Sequence, residues 1–185
     1  MLPYLSLNTS NAAKLREFQA LGLGGLRISS LDLPEPDADP LTVIRSKATQ
    51  AGPNVIVEDT SFDVEGADVG VNVKWMIDQI GVFAGRRATF RVLIGIYRDG
   101  RVEVYEGSVS GVLVAPRGTG MGFDPIFQPD GAEHTLAESK PPEFNARAIA
   151  VSRFKDQKPA WVLDPLPDWP GPWQNPHPAP GSLRG

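Results

Sequence analysis

The sequence predicts an α/β protein with a mixed β-sheet flanked by helices and two lobes around a central substrate cleft. Three observations lead to this prediction. Residues 55–57 form an apolar, β-branched run that ends abruptly in two acids, which predicts a buried strand presenting carboxylates at its end. Residues 89–96 alternate with the period of two that is typical of a sheet strand. Segments with helical spacing and helix-ending glycines separate the predicted strands.

The first half of the chain alternates short strands and helices. Gly22 and Gly52 mark the ends of two helices, and Pro40 is a favoured first-turn residue for the second of them. The predicted elements are, in order, a strand at residues 4–7, a helix at 12–21, a strand at 26–31, a loop at 33–40, a helix at 40–51 and the strand that begins at residue 55.

The second half is richer in strands and ends in a proline-rich tail. Asp99-Gly100 is a strong hairpin signal, so the strand at 89–96 should be followed by return strands over residues 101–114. A helix is expected over residues 143–154. From residue 164 onward the prolines forbid regular structure, and we expect an extended, partly disordered tail with docked tryptophans.

Composition limits the classes of function. A net charge of −4 and a pI near 5.2 argue against general affinity for a nucleic-acid polymer. There is no cysteine, and the two histidines are His134 and His177, so thiolate catalysis is excluded and a Ser-His-Asp hydrolase is disfavoured. No basic leader or membrane-length apolar run is visible, which predicts a cytoplasmic protein without a membrane partner.

The first candidate site is the polar turn at residues 9–14, between a predicted strand and a predicted helix. Such a turn offers backbone N–H groups and the positive end of the helix dipole to an anion. Thr9 and Asn11 can add side-chain donors, and Lys14, one turn into the helix, can reach back to a phosphate. A plain helix cap followed by a surface lysine explains the same residues.

Two acidic stretches follow. Asp39 lies in the proline-fixed loop, where a carboxylate can be held for a hard cation at little entropic cost, and Lys47 follows two helical turns later. Glu58, Asp59 and Thr60 end the buried strand, and paired acids there can bind Mg²⁺ and orient a water for phosphoryl hydrolysis. The structural alternatives are a solvent-exposed acidic loop at Asp39 and a solvent-exposed strand end at residues 58–60.

Two later stretches carry less specific signals. Lys74 is either a phosphate contact or a surface lysine whose stem covers apolar surface. Residues 116–127 form a glycine-rich loop that contains Phe123 and Asp124. Such a loop can hold a flat ring by stacking and hydrogen bonding, although a plain loop has the same composition.

Taken together, these stretches resemble the inosine triphosphate pyrophosphatase family, whose members hydrolyse noncanonical purine nucleoside triphosphates. Their conjunction, in the family's order over roughly residues 1–155, is more specific than any single match. The matching segments are residues 9–14, 32–35, 57–60, 74–75, 111–118, 122–131 and 137–138. We therefore predict a pyrophosphatase-like domain at residues 1–163 and a separate tail at residues 164–185.

The resemblance implies an elongated fold, usually a homodimer, and Mg²⁺-dependent attack of water at the α-phosphorus, which releases pyrophosphate and a nucleoside monophosphate. It implies that Asp59 is the catalytic, metal-linked carboxylate and that Asp39 stands at a second metal-ligand position. The substrate-binding residues that follow are Thr9, Asn11, Lys14, Lys47, Thr60 and Lys74 at the phosphates, and Phe123, Asp124 and Phe144 at the base.

The base-binding region departs from the family pattern. Phe144 replaces the lysine of the family's Glu-Lys-Asn, and residues 148–150 replace a Ser-His-Arg. Apolar side chains cannot donate to a 6-keto group, so base discrimination should change. Either the pocket is rebuilt for another base, with Phe144 and Ile149 packing on it, or it has decayed. We expect a pyrophosphohydrolase with altered base specificity, and the alternative is a non-catalytic nucleotide-binding or sensor protein.

Overall fold

A computed structural model of the chain describes residues 4–68, 73–175 and 182–183. The chain divides into two compact units. Unit 1 contains residues 1–59, 92–107 and 148–176, and unit 2 contains residues 60–91, 108–147 and 177–185. The division falls inside three long strands, so each of those strands contributes its two halves to different units.

Five helices occur in the described part of the chain, and local chemistry explains where the first two begin. The side chain of Asn11 accepts a hydrogen bond from the N–H of Ala13, and Asp39 caps the second helix ahead of Pro40 in the same way. The helices are α1 (Ala12–Ala20), α2 (Pro40–Ala51), α3 (Val73–Asp78), α4 (Ile80–Phe83) and α5 (Ala146–Lys155).

The described strands form one mixed sheet of nine, seven of which have three or more residues. Strand β1 runs parallel to β2 and β3, whereas β6 is antiparallel to β7 and β8. The strands are β1 (Ser6–Asn8), β2 (Arg27–Ser29), β3 (Val55–Val64), β4 (Ala67–Asp68), β5 (Arg87–Arg98), β6 (Arg101–Leu113), β7 (Phe127–Pro129), β8 (Trp161–Leu163) and β9 (Ser182–Leu183). The predicted α/β class, with a mixed sheet and flanking helices, is confirmed, while the elongated outline and the central cleft stay predictions.

Each unit has its own apolar core. In unit 1, the buried face of α2 packs against strand side chains, and the cluster consists of Ile44, Ala48, Val57, Leu93, Val102 and Val104. In unit 2, Phe62 stacks on Phe123 and meets Phe90 and Phe127 edge-on. These two cores fix the strand ends and loops that carry the predicted site residues.

Several predicted boundaries need correction. Strand β2 is shorter than residues 26–31 because only Arg27–Ser29 pairs with β1. Helix α5 begins at Ala146 rather than at residue 143, since Pro142–Phe144 forms a separate 3₁₀ turn. The predicted tail follows directly on β8 and contains the short strand β9, which pairs with β4, so the prediction that regular structure is forbidden from residue 164 onward is wrong. None of the described helices is long and apolar enough to cross a membrane.

Candidate functional site

Strand β3 carries two carboxylates within its length and not at its end, because it continues to Val64 past the two acids that were predicted to end it. Ile56 and Val57 are buried in the core, and the next residues are Glu58 and Asp59. The Glu58 side chain is 3% exposed, and one of its oxygens lies 3.2 Å from the ammonium of Lys14. This ion pair joins the first turn of α1 to the first half of β3. The predicted phosphate turn and the predicted catalytic strand therefore meet in unit 1.

Lys47, in helix α2, contacts both strand β3 and the loop that precedes α2. Its ammonium donates to the backbone oxygen of Glu58 at 2.7 Å and pairs with Glu35 at 3.0 Å. The Lys47 side chain is 14% exposed, so these contacts are made largely out of water. The Lys47 ammonium thus links helix α2 to strand β3 and to the loop that carries Glu35.

The Asp59 carboxyl lies in an environment that disfavours its charge. Partial burial is the main cause that raises its pKa to about 6, and the negative charges of Glu35 and Glu58 add to the rise. The positive charge of Lys47 opposes it. Above about pH 6 the group is ionised, close to two further acids, and is therefore suited to accept a proton or to face a divalent cation.

Asp39, predicted as a metal ligand, caps helix α2 in the structure. One of its oxygens accepts from the N–H of Thr42 at 3.1 Å, and the other accepts from the Thr42 hydroxyl at 2.6 Å. The hydroxyl hydrogen bond is the largest cause that lowers the Asp39 pKa. Asp39 is thus a helix cap, and the acid that the structure places beside Lys47 is Glu35 instead.

The turn at residues 9–14 is internally ordered. The hydroxyl of Thr9 accepts from the N–H of Asn11 at 3.0 Å, and the side-chain oxygen of Asn11 accepts from the N–H of Ala13 at 2.9 Å. The N–H of Thr9 donates to the carbonyl of Ser29 at 2.8 Å, which fixes the turn to β2. The cap and the phosphate interpretation are compatible here, because Lys14 extends to Glu58 rather than into solvent alone.

The predicted base-binding residues Phe123, Asp124 and Phe144 all belong to unit 2. Phe123 is buried and stacks on Phe62, with ring centroids 4.1 Å apart and planes 13° apart, so one ring face is already covered. Asp124 pairs with Lys140 at 3.2 Å. Phe144 is half-buried in the 3₁₀ turn. The structure thus pairs Asp124 with Lys140, a residue that was not among the predicted site residues.

The two remaining predicted phosphate contacts are Thr60 and Lys74. Thr60 follows Asp59 along β3 and is exposed. Lys74 belongs to helix α3, but its side chain lies outside the described residues.

Glu35 and Lys140 are the charged residues that sequence reasoning missed. Glu35 stands between two prolines in the loop before α2, a position that rigidly presents a carboxylate, and this signal was available. Lys140 precedes Phe144 by four residues, so it is out of register with the family's lysine. Its pairing with Asp124 appears only in the folded chain.

The acids at this place suit a hard cation by their chemistry. Within residues 4–68, 73–175 and 182–183, no three His, Cys, Asp or Glu side chains form a ready-made metal cluster. Glu35 and Asp59 nevertheless offer carboxylate oxygens, the ligands that Mg²⁺ prefers. Burial, and in addition the repulsion by Glu35 and Glu58, raises the Asp59 pKa, and a divalent cation would relieve that repulsion. The residues present therefore fit such an ion.

Comparison with known proteins shows the family to which this chain belongs. The sequence model of the Ham1 family matches residues 5–157. A dITP/XTP pyrophosphatase of Pyrobaculum aerophilum is 34% identical over 181 residues, which cover 86% of this chain and 96% of that protein.

Solved structures share the fold. The Ham1 protein of Staphylococcus aureus superimposes with a TM-score of 0.68 at 19% identity, covering 84% of this chain and 97% of that one. A nucleoside-triphosphatase, also named dITP/XTP pyrophosphatase, of Mycobacterium abscessus gives a TM-score of 0.60 at 21% identity, covering 84% and 98%. Residues 158–185 lie beyond the family match.

Proposed function

Because the chain belongs to the Ham1, or inosine triphosphate pyrophosphatase, family, we propose that it hydrolyses noncanonical nucleoside triphosphates to a nucleoside monophosphate and pyrophosphate. The enzyme class is that of a nucleoside triphosphate pyrophosphatase. The observation that carries the proposal is the convergence of Lys14 and Lys47 on the acids Glu35, Glu58 and Asp59. Ammonium groups beside carboxylates are what a polyphosphate and its counter-cation require.

The two lysines supply the positive charge that this acidic chain lacks overall. Lys14 pairs with Glu58, and Lys47 pairs with Glu35. When a triphosphate binds, we expect Lys14 and Lys47 to contact phosphate oxygens, with Thr9 and Asn11 holding the turn in place beneath them. A salt-dependent affinity follows, because the interaction is between charges that are partly exposed.

Asp59 is the group best placed to accept a proton from the attacking water. The water oxygen forms a bond to the α-phosphorus, the bond from that phosphorus to the bridging oxygen breaks, and pyrophosphate leaves. With its pKa raised to about 6, the carboxylate is ionised at neutral pH and is a stronger base than an ordinary aspartate. Mg²⁺, held by Asp59 and Glu35, would neutralise phosphate charge and favour ionisation of the water.

We expect a second pair of charged side chains, Lys140 and Asp124, to recognise the base. Lys140 pairs with Asp124 where the family's lysine is replaced by Phe144. We propose that Lys140 donates to the 6-keto oxygen of a hypoxanthine or xanthine ring and that Asp124 accepts from a ring N–H. Adenine presents an amino group at that position, so an ammonium group disfavours it.

The test is pyrophosphate release from a panel of canonical and noncanonical triphosphates with Mg²⁺, using wild type, Asp59→Asn and Asp39→Asn. We expect wild-type turnover, a loss of about 10²–10⁴-fold for Asp59→Asn, and near wild-type turnover for the helix-cap control Asp39→Asn. Wild type without turnover on every nucleotide contradicts the proposal. Tight binding of a nonhydrolysable analogue in that case indicates the sensor alternative, whose motivation is the apolar Phe144.

The homodimer is proposed on the family resemblance alone. Sedimentation equilibrium of the full chain measures it directly: a mass near twice 20.0 kDa supports the dimer, and a mass near 20.0 kDa contradicts it.

A further inference from the structure

The C-terminal segment at residues 164–174, which lies beyond the family match, contacts the elements that carry the proposed metal site. It first runs along α2, the helix that carries Lys47. The guanidinium of Arg45 donates to the carbonyl of Asp164 at 2.6 Å, and the N–H of Leu166 donates to the Thr49 hydroxyl at 2.9 Å. The segment is therefore held to α2 at two points.

The same segment then pairs with the loop that carries Glu35. The N–H of Asp37 donates to the carbonyl of Pro172 at 2.9 Å, and the N–H of Gln174 donates to the carbonyl of Glu35 at 2.8 Å. These bonds flank an antiparallel bridge between Pro36 and Trp173. The side-chain amide of Gln174 adds a bond to the carbonyl of Pro36 at 3.0 Å.

A tight turn prepares the C-terminal segment for this pairing. The indole N–H of Trp169 donates to the carbonyl of Pro172 at 2.7 Å, so the ring folds back over the intervening residues. A Cβ at Gly171 would lie 2.5 Å from the Trp169 ring, which leaves no room for a side chain under the indole. The carbonyl of Pro172 is thus oriented both by its own turn and by Asp37.

We propose that residues 172–174 hold the Glu35 loop in register, so that the Glu35 carboxylate is positioned to bind the divalent cation. The loop is held from one side by α2, through Lys47 and through Gln50, whose side chain donates to the carbonyl of Pro34 at 3.0 Å. The C-terminal segment holds it from the other side. Gln174 is a positioning residue in this scheme, and the inference rests on the proposed function of Glu35.

The test measures binding of Mg²⁺ alone, by calorimetry on the full chain without nucleotide. Gln174→Pro removes the N–H that donates to Glu35, whereas the matched control Gln174→Ala keeps that N–H and removes only the side-chain bond. We expect Gln174→Pro to weaken Mg²⁺ binding by about three- to tenfold, as for loss of one backbone hydrogen bond, and Gln174→Ala to weaken it less than about twofold. Hydrogen exchange at the Asp37 amide should accelerate in Gln174→Pro alone.

Unchanged Mg²⁺ affinity in Gln174→Pro, with faster exchange at Asp37, overturns the inference. If that variant does not fold, Gly171→Ala replaces it, because the added Cβ displaces the Trp169 ring and with it Pro172. The same weakening is expected there, and unchanged affinity again overturns the inference.

Glu35→Gln separates this inference from the function on which it rests. Weaker Mg²⁺ binding in Glu35→Gln but wild-type binding in Gln174→Pro removes the positioning role and leaves the metal site intact. Wild-type binding in Glu35→Gln removes the metal assignment and the inference together. Absence of pyrophosphate release by wild type contradicts the proposed function independently of these affinities.

Discussion

Asp59 carries a charge that the folded chain makes unfavourable, so its proposed role has a cost in stability. Its pKa is raised from 3.8 to about 6, mainly by burial, so the folded state binds the proton more tightly than the unfolded state does. Stability therefore falls as the pH rises from about 3.8 to about 6, and above that range the destabilisation is fully present.

Asp59→Asn should consequently stabilise the metal-free protein at pH 8. The pKa shift corresponds to on the order of 1–3 kcal/mol, with the upper value reduced by partial exposure, so the midpoint of thermal unfolding should rise by several degrees. Thermal unfolding monitored by circular dichroism in EDTA checks this. The advantage should shrink as the pH is lowered toward 4, and an advantage that is independent of pH would mean that ionisation is not its source.

Lys140 should determine which base is accepted. Lys140→Ala removes a charged donor, so we expect kcat/KM for inosine triphosphate to fall by about ten- to a hundredfold relative to that for ATP. Lys140→Arg should keep part of the preference. The ratio is the proper measurement, because the alanine variant also leaves Asp124 without its partner cation.

Lys158→Ala provides a matched control for that experiment, since Lys158 is exposed after the end of α5. An unchanged ratio in Lys140→Ala would show that Lys140 serves only to neutralise Asp124. The family's arginine position offers no easy rescue in this chain. Ala150, which stands there, is buried, and a long polar side chain would have to enter the core.

At the scale of elements, the close packing of α2 on the sheet places Lys47. Gly95 in β5 lies under this helix, and a Cβ there would be 2.8 Å from Ile44 and 3.2 Å from Val57. Gly95→Ala should therefore push α2 outward and destabilise the fold by about 1–3 kcal/mol. Turnover should fall as well, because Lys47 would lose its short contact with the Glu58 carbonyl.

Urea unfolding and pyrophosphate release measure the two effects of Gly95→Ala. Gly24→Ala is the control, since a Cβ at Gly24 meets nothing within 4 Å. Equal stability of the two variants would mean that α2 can adjust without cost.

Elements whose signals are local could be predicted from the sequence, whereas the composition of the site could not. Helix α2 has the predicted bounds because Pro40 and Gly52 act locally, at its first residue and at its C-cap. The turn at Asp99-Gly100 likewise has positive φ at both residues, 53° and 74°, as its dipeptide indicates. The sequence alone does not separate Asp39 from Glu35, because an acid in a loop has the same local signature whether it caps a helix or binds a cation. Only the folded chain, in which Lys47 pairs with Glu35 while Asp39 caps α2, distinguishes the two acids.

At the scale of the whole molecule, the chain has an excess of acidic groups, with a net charge of −4, and part of this excess is concentrated around Asp59. Lys14 and Lys47 balance Glu58 and Glu35 in the metal-free chain. Asp59 then remains as the acid whose ionisation is opposed by its surroundings. A cation that binds there acts on folding as well as on chemistry, because any ligand that binds only the folded state stabilises it.

Mg²⁺ should accordingly raise the unfolding temperature of the wild-type protein. At about 100 times its dissociation constant, a single bound ion adds about 2.7 kcal/mol. For a protein of this size that corresponds to a shift of roughly 5–10 °C. NaCl at equal ionic strength is the control, since screening of exposed charges does not require a site. Asp59→Asn and Glu35→Gln should lose most of the shift, whereas Asp39→Asn should keep it. A shift of equal size in wild type and Asp59→Asn would place the stabilising ion elsewhere on the molecule.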